Sequence, residues 1–327
     1  MAMLLAADIG GTKSSLWLFE QDGARREIRR EANLRSAAYG DACAVIAAFL
    51  EDVRVDAAVV AIAGPVLDGR AATPNLPWVV ERRQLAHLLR TERVELVNDL
   101  VATAYGIAGL EPQMTVTLNP GLPGDGAIAV IAAGTGLGEA VLVDAGSQRL
   151  AVPSEGGHAD FAPGSEIEIE LLRYLGRRYG HVSWERVVSG PGLHAIYRFL
   201  IESGRGGENA ELAARMATGD PAAAVAEAAL AETDPTASYA LDIFVRAYGA
   251  EAGNLALKVL ATGGVYVAGG IAPKILGRLR GGRFLQGFAD KGRYAALLQR
   301  IPLKVVIEPR AALFGAAQRA VELWATR

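Results

Sequence analysis

Asn98 and Asp99 put an amide beside a carboxylate where an apolar run, V-E-L-V (94–97), meets an alanine-rich helical pattern, L-V-A-T-A-Y (100–105). Burying a carboxylate is costly unless it is paired or has chemistry to do. Either side chain can cap the helix that follows, and for the pair alone that is the simpler reading. Two glycine-rich segments add a second kind of chemistry. D-I-G-G-T-K-S (8–14) and A-G-T-G-L-G (133–138) each set a threonine among glycines, so a hydroxyl and closely approaching backbone N–H groups can face phosphate oxygens. Asp8, at the end of the first apolar run, is a carboxylate placed to hold a hydrated Mg²⁺. A third cluster, V-Y-V-A-G-G-I (265–271), carries Gly269 and Gly270, a pair that lets a flat ligand such as a purine lie against backbone or simply makes a tight turn.

Strand-like and helical runs alternate around these residues. Strands are expected at 4–9, 15–19, 57–63, 94–97, 127–132, 140–143, 265–268 and 304–307. Helices are expected at 42–53, 82–89, 100–107, 166–179, 191–201, 221–231, 235–260 and 310–324, with another starting near Pro273. The mixture predicts α/β architecture. Both glycine segments join two strands, a weak internal repeat. That excludes a Rossmann fingerprint, which needs a helix next, and Thr12 before Lys13-Ser14 breaks the P-loop pattern. Hairpin turns also use Gly and Asp for steric reasons alone. The Pro- and Gly-dense stretch 111–126 reads as a junction between two domains. The expected division is a small domain, 1–110, to which 304–327 returns, and a large one, 111–303.

The bulk properties narrow the class. The chain has 327 residues, 51% hydrophobic and 21% charged, enough for a sizeable core. A net charge of −3 gives no nucleic-acid footprint. The clusters Arg25, Arg26, Arg29, Arg30 and Arg278, Arg280, Arg283 read as solvated faces. One cysteine, Cys43, excludes an internal disulfide or a cysteine-cluster zinc site, and it reads as a small core residue. No uncharged apolar run approaches the ~20 residues that span a bilayer, and the amino terminus lacks a signal-peptide pattern, so a cytoplasmic protein with no membrane partner is expected.

D-I-G-G-T (8–12), G-T-G-L-G (134–138) and A-G-G (268–270), in this order, resemble the phosphate and adenosine motifs of the actin-like sugar kinases. S-E-G-G-H-A-D-F-A-P (154–163), Asn98-Asp99 and G-H-V-S-W-E-R-V-V-S-G-P-G-L (180–193) narrow the resemblance to bacterial glucokinases of the hexokinase-like, zinc-free type, over almost the whole chain. The resemblance implies a two-domain actin-like (ribonuclease H-like) ATPase fold with an interdomain cleft, glucose and ATP as substrates, Mg²⁺ and a homodimer. It implies Asp99 as the catalytic base toward the 6-hydroxyl. Asn98, Glu155, His158 and Glu185 would bind the other sugar hydroxyls, and Gly64 and Pro65 would approach the sugar. Asp8, Gly10, Gly11 and Thr12, with Gly134, Thr135 and Gly136, would face Mg²⁺ and the phosphates, and Gly269 and Gly270 the adenosine. With these neighbours the catalytic reading of Asp99 prevails and any capping becomes incidental.

The residue types suit that chemistry. Glu155, Glu185 and Asp99 supply acceptors, while Asn98 and His158 supply both kinds of group. A pocket that hydrogen-bonds each hydroxyl rejects analogues lacking one. Lys13 and Glu139 depart from the usual pattern; Lys13 is expected in solvent and Glu139 pointing away from phosphate. His181 reads as structural, His87 and His194 as core-edge residues, and Glu166, Glu168 and Glu170 as a solvated first helical turn. Competing readings are a kinase for mannose, fructose or an amino sugar, a sugar-sensing regulator without turnover, and a non-sugar ATPase. The last has no use for Asn98-Asp99 together with S-E-G-G-H.

Overall fold

The computed structural model describes residues 1–73, 76–146 and 149–326. The chain divides into two compact units, one formed by Met1–Glu111, Ala145–Pro153 and Glu308–Arg327, the other by Pro112–Asp144 and Ser154–Ile307. Each has a sheet and a core of its own.

In the first unit β1 (Ala2–Ile9), β2 (Lys13–Asp22), β3 (Arg25–Arg35), β4 (Ala57–Ile62) and β5 (Val94–Asn98) lie in the order β3-β2-β1-β4-β5. β1, β4 and β5 run parallel, with Ile9 opposite Ile62 and Ile62 opposite Asn98, so their carboxyl ends are level. β4, A-A-V-V-A-I, is buried at every residue, as expected for a central parallel strand covered on both faces. One cover is the helix Ala42–Leu50, capped by Asp41, which accepts from Ala44 N–H at 2.7 Å. Another is the pair of helices Asp99–Ile107 and Ala311–Ala325, which touch backbone to backbone. A Cβ on Gly315 would lie 1.7 Å from the Ala102 carbonyl oxygen, and one on Gly106 2.1 Å from that of Ala311. Glycine at these two positions is what lets the C-terminal helix brace the helix that begins at Asp99.

The strand β3 went unexpected: R-R-E-I-R-R-E is charged on both faces. It is an exposed edge whose arginines pair with Glu20, Glu27 and Glu51, so its solvated reading holds while its backbone is β. Cys43 is half-buried at the edge of this core.

In the second unit β6 (Thr115–Asn119), β7 (Ile128–Ala133), β8 (Leu137–Asp144), β9 (Gly264–Ala268) and β10 (Leu303–Val306) follow the order β8-β7-β9-β10-β6. β7, β9 and β10 are parallel; β8 and β6 are antiparallel to their neighbours. The stretch 111–126 is therefore not only a junction, since β6 within it is an edge strand. Of the segment from Lys304 onward, β10 stays in this sheet and the helix Ala311–Ala325 belongs to the first unit. The 25-residue helix Pro235–Val259 runs through the core, started by Asp234, which accepts from Ala237 N–H at 2.7 Å. After β9 the chain makes turns, and the helix expected near Pro273 begins at Leu276.

Glu168 does not lie in solvent. It is buried, accepts from Gly164 N–H at 2.7 Å and pairs with Arg246 at 2.7 Å, while Glu170 pairs with Arg205 at the surface. His87 is exposed rather than at a core edge, and His194 is half-buried. Among the described residues no helix is long and apolar enough to cross a membrane.

Candidate functional site

The first unit gathers Asp8, Gly10–Thr12, Gly64, Asn98 and Asp99 at the carboxyl ends of β1, β4 and β5, where open α/β sheets place ligands. The β1–β2 hairpin turns at Gly10–Thr12, with Gly10 N–H donating to the Lys13 carbonyl at 3.0 Å. A serine pair behind it holds it in shape. Ser36 Oγ lies 2.7 Å from the Gly10 carbonyl and 2.9 Å from Ser14 Oγ, and Ser36 N–H donates to the Thr12 carbonyl at 3.1 Å. Thr12 and Lys13 face solvent.

Asn98 is the N-cap of the helix Asp99–Ile107. Its Oδ1 accepts from Leu100 N–H at 2.8 Å and Val101 N–H at 3.3 Å, and its Nδ2 donates to the Gly64 carbonyl at 3.0 Å. Capping is therefore the main structural task of Asn98 and not incidental. It also ties β5 to Gly64, which sits at φ +106° where a side chain would be strained. Pro65 beyond it is exposed. Asp99 is the first helical residue, and its Oδ1 accepts from Leu100 N–H at 2.9 Å.

Burial, and then the Asp99 charge, push Asp8 up to about 7, against a smaller opposing pull from Lys13. Two carboxylates thus share one end of the sheet, and Lys13 pulls against the rise at Asp8. Paired carboxylates suit a divalent cation. Among the described residues no cluster of three acidic, histidine or cysteine groups could cage a metal, so Mg²⁺ would be held by Asp8 together with water and substrate oxygens.

The second unit holds Gly134–Gly136, Glu155, His158, Glu185, Gly269 and Gly270. In the β7–β8 hairpin Gly134 N–H donates to the Gly136 carbonyl at 2.8 Å, and Gly190 N–H donates to the Gly134 carbonyl at 2.8 Å. Thr135 is exposed at the tip. Glu185 supports this turn as well as lying by the sugar motif: its Oε2 accepts from Leu137 N–H at 3.0 Å, and a Cβ on Gly136 would lie 2.4 Å from the same oxygen. Its other oxygen is 4.0 Å from His158 Nδ1, and His158 Nε2 is 3.9 Å from Glu155 Oε2. Three of the side chains expected at the sugar, Glu155, His158 and Glu185, thus converge around Gly156-Gly157. Glu185 N–H further ties that turn down by donating to the Gly157 carbonyl at 2.8 Å. His181 bonds the His158 carbonyl and Asp160, a structural role as expected.

Gly269 sits at φ +83°, and a Cβ there would lie 2.5 Å from the Ala133 carbonyl oxygen, so this glycine lets β9 close against the root of the β7–β8 turn. Gly270 faces open space. Tyr248, fully buried, accepts from Ala133 N–H at 3.0 Å and reaches the Ala268 carbonyl at 3.3 Å, joining the ends of β7 and β9 where both glycine turns begin. Ser36, Ser189 and Tyr248 were not expected. Ser189 caps the helix Gly190–Glu202 and donates to the Glu185 carbonyl at 2.6 Å. A serine just before G-P was its available signal; Ser36 and Tyr248 act over distances that no local pattern carries.

Two glycine hairpins, one on each α/β sheet, with an acidic strand end on the first unit and a carboxylate–histidine turn on the second, define the class of actin-like ATPase-domain sugar kinases. The glucokinase family model matches residues 5–323. A glucokinase of Trichormus variabilis is 42% identical, over 99% of this chain and 100% of its own. The solved glucokinase from an Antarctic psychrotroph superposes with a TM-score of 0.86 at 28% identity, covering 98% of this chain and 99% of that one. A ROK family glucokinase from Streptomyces griseus, solved in complex with glucose and AMPPNP, shares the fold with a TM-score of 0.64 at 22% identity, over 98% and 99%. The chain belongs to the glucokinase family, enzymes of glucose phosphorylation.

Proposed function

We propose that the protein transfers the γ-phosphate of ATP to the 6-hydroxyl of glucose, with Asp99 as the base. The observation that carries this reading is Asp99 itself, a carboxylate at the level carboxyl ends of three parallel strands, near enough to Asp8 for its charge to raise that group. Phosphoryl transfer asks a protein mainly for positioning and charge neutralisation, so an ordinary carboxylate suffices to take the hydroxyl proton. Asp99 orients the hydroxyl and receives its proton; Glu155, His158 and Glu185 hold the remaining hydroxyls; the N–H groups of the two glycine turns receive phosphate oxygens. Mg²⁺ supplies charge neutralisation on the phosphates when bound, and Asp8 is the residue of this chain that would hold it. Gly269 and Gly270 lie by the adenosine. The protein acts in the cytoplasm and, as its resemblance to the family implies, as a homodimer; light scattering of the purified chain reads the second point.

The test is ADP production with Mg-ATP across glucose, mannose, fructose, N-acetylglucosamine and no sugar, wild type beside Asp99→Ala. Strong turnover on glucose, lowered about 10²–10⁴-fold by the substitution with sugar binding still measurable, is expected. Near-normal turnover in the variant removes Asp99 as the base. Dominant activity on another hexose, or without sugar, overturns the substrate.

A further inference from the structure

We propose that Glu139, acting with Glu251, positions the turn Gly156–His158 and through it the glucose-binding side chains Glu155, His158 and Glu185. The inference rests on the reading of that turn as the sugar site. β8 is the floor on which the turn is seated. At Leu137 the N–H holds Glu185, and the carbonyl oxygen is so close to Gly157 that a Cβ there would lie 2.0 Å away. Two residues on, and so on the same face of the strand, the Glu139 carboxyl lies against Gly156; a Cβ would come within 2.0 Å of its Oε2. Glycine at 156 and the carboxyl at 139 therefore fit one against the other. Gly156 N–H, held by Ser154 Oγ at 3.0 Å, fixes the turn from the other side.

Glu139 is 2% exposed, and its Oε1 is buried with no hydrogen-bond partner. Facing it from the helix Pro235–Val259 is Glu251, fully buried, which accepts from Asn254 Nδ2 at 2.8 Å and pairs with Lys258 at 3.4 Å. Tyr248 on that helix, and Lys291 beyond Glu251, are the other titratable groups in range. Two buried carboxyls side by side do not both ionise. Glu251 has Asn254 and Lys258 to stabilise its anion, so the proton belongs on Glu139, with Glu251 as its acceptor. Burial first, then the Glu251 charge, push Glu139 up to about 8. Burial raises Glu251 as well. At neutral pH the turn rests on a neutral Glu139; above pH 8 it rests on a buried anion.

Glucose and ATP kinetics of wild type, Glu139→Gln, Glu139→Ala and Glu155→Ala from pH 6.5 to 9.5 test this, alongside thermal unfolding of each. Glu139→Ala should raise the glucose KM roughly 10-fold, leaving kcat and the ATP KM within about 3-fold. Wild type should show a rise in glucose KM above pH 8, and Glu139→Gln, which mimics the neutral acid, should restore the glucose KM at pH 7 and remove that rise. If Glu139→Ala shifts kcat and both KM values together, or none of them, the positioning role is wrong. It is equally wrong if Glu139→Gln follows the wild-type pH profile, and that profile decides should Glu139→Ala fail to fold. Glu155→Ala separates the two readings. An unchanged glucose KM there overturns the sugar site and the inference with it, whereas a raised one beside inert Glu139 variants overturns the inference alone.

Discussion

The two glycine hairpins have the same outline and opposite support. Gly10–Thr12 is held by neutral hydroxyls, Ser36 and Ser14, whereas Gly134–Gly136 is held by the Glu185 carboxylate through Leu137 N–H. Their neighbours explain the difference. Beside the first turn Asp8 and Asp99 already crowd negative charge, and another anion would raise Asp8 further. Beside the second, Leu137 N–H is a main-chain donor that a carboxylate can accept from while its other oxygen lies toward His158. The first turn is an electrostatic device with a neutral brace. The second is braced by a carboxylate whose other oxygen lies toward His158.

Removing the couplings one at a time tests this contrast. Glu185→Ala carries the largest expected effect: a fall of about 10²-fold in kcat/KM for glucose, with the ATP KM also raised, because it frees Leu137 N–H as well as the sugar contact. A change confined to glucose would show that the carboxylate does not brace the turn. Gly136→Ala comes next. Its methyl would displace the Glu185 carboxylate from Leu137, so both KM values should rise, each about 10-fold. Gly10→Ala meets only the Lys13 carbonyl at 3.1 Å and should raise the ATP KM alone, by about 3-fold. Equal responses from the two glycines would erase the distinction between the turns. Ser36→Ala should cost about 1–3 kcal/mol in urea unfolding, since it strands the Gly10 carbonyl and Ser14 Oγ, and should leave the glucose KM unchanged.

How much of this was legible depends on how local each cause is. The helices Arg82–Leu89 and Glu166–Tyr179 have the bounds that their periodicity predicts, and both hairpins were readable from a glycine turn between two apolar runs. The strand β3 was not, because an edge strand solvated on both faces shows no alternation. Nor was β6, a short edge strand whose T-V-T-L-N is hidden by the prolines and glycines that flank it. In the site, residue types and order pointed to Glu155, His158 and Glu185, and the structure brings those three together. The burial of Glu168 depends on Arg246, 78 residues away, and the support from Ser36, Tyr248 and Glu251 likewise comes from outside the local pattern. Glu139 was legible as an anomaly in the hairpin but not as half of a carboxyl pair, since its partner lies several helices further along the chain, in Pro235–Val259.

Asn98 is where local reading and function pull on one side chain, and it carries the smallest prediction. Its Oδ1 caps the helix that begins at Asp99, and its Nδ2 holds Gly64. A hydroxyl can replace the first bond set but not reach for the second. Asn98→Ser should therefore keep the cap and lose only the Gly64 tie, about 0.5–1.5 kcal/mol by urea unfolding of the sugar-free enzyme. Asn98→Ala loses the cap as well, roughly 1 kcal/mol more. If the two variants unfold at the same urea concentration, capping contributes nothing at this position and the amide is held for the sugar alone. If they separate as expected, the residue before the base is a structural element first, and the level strand ends that place Asp99 depend on it.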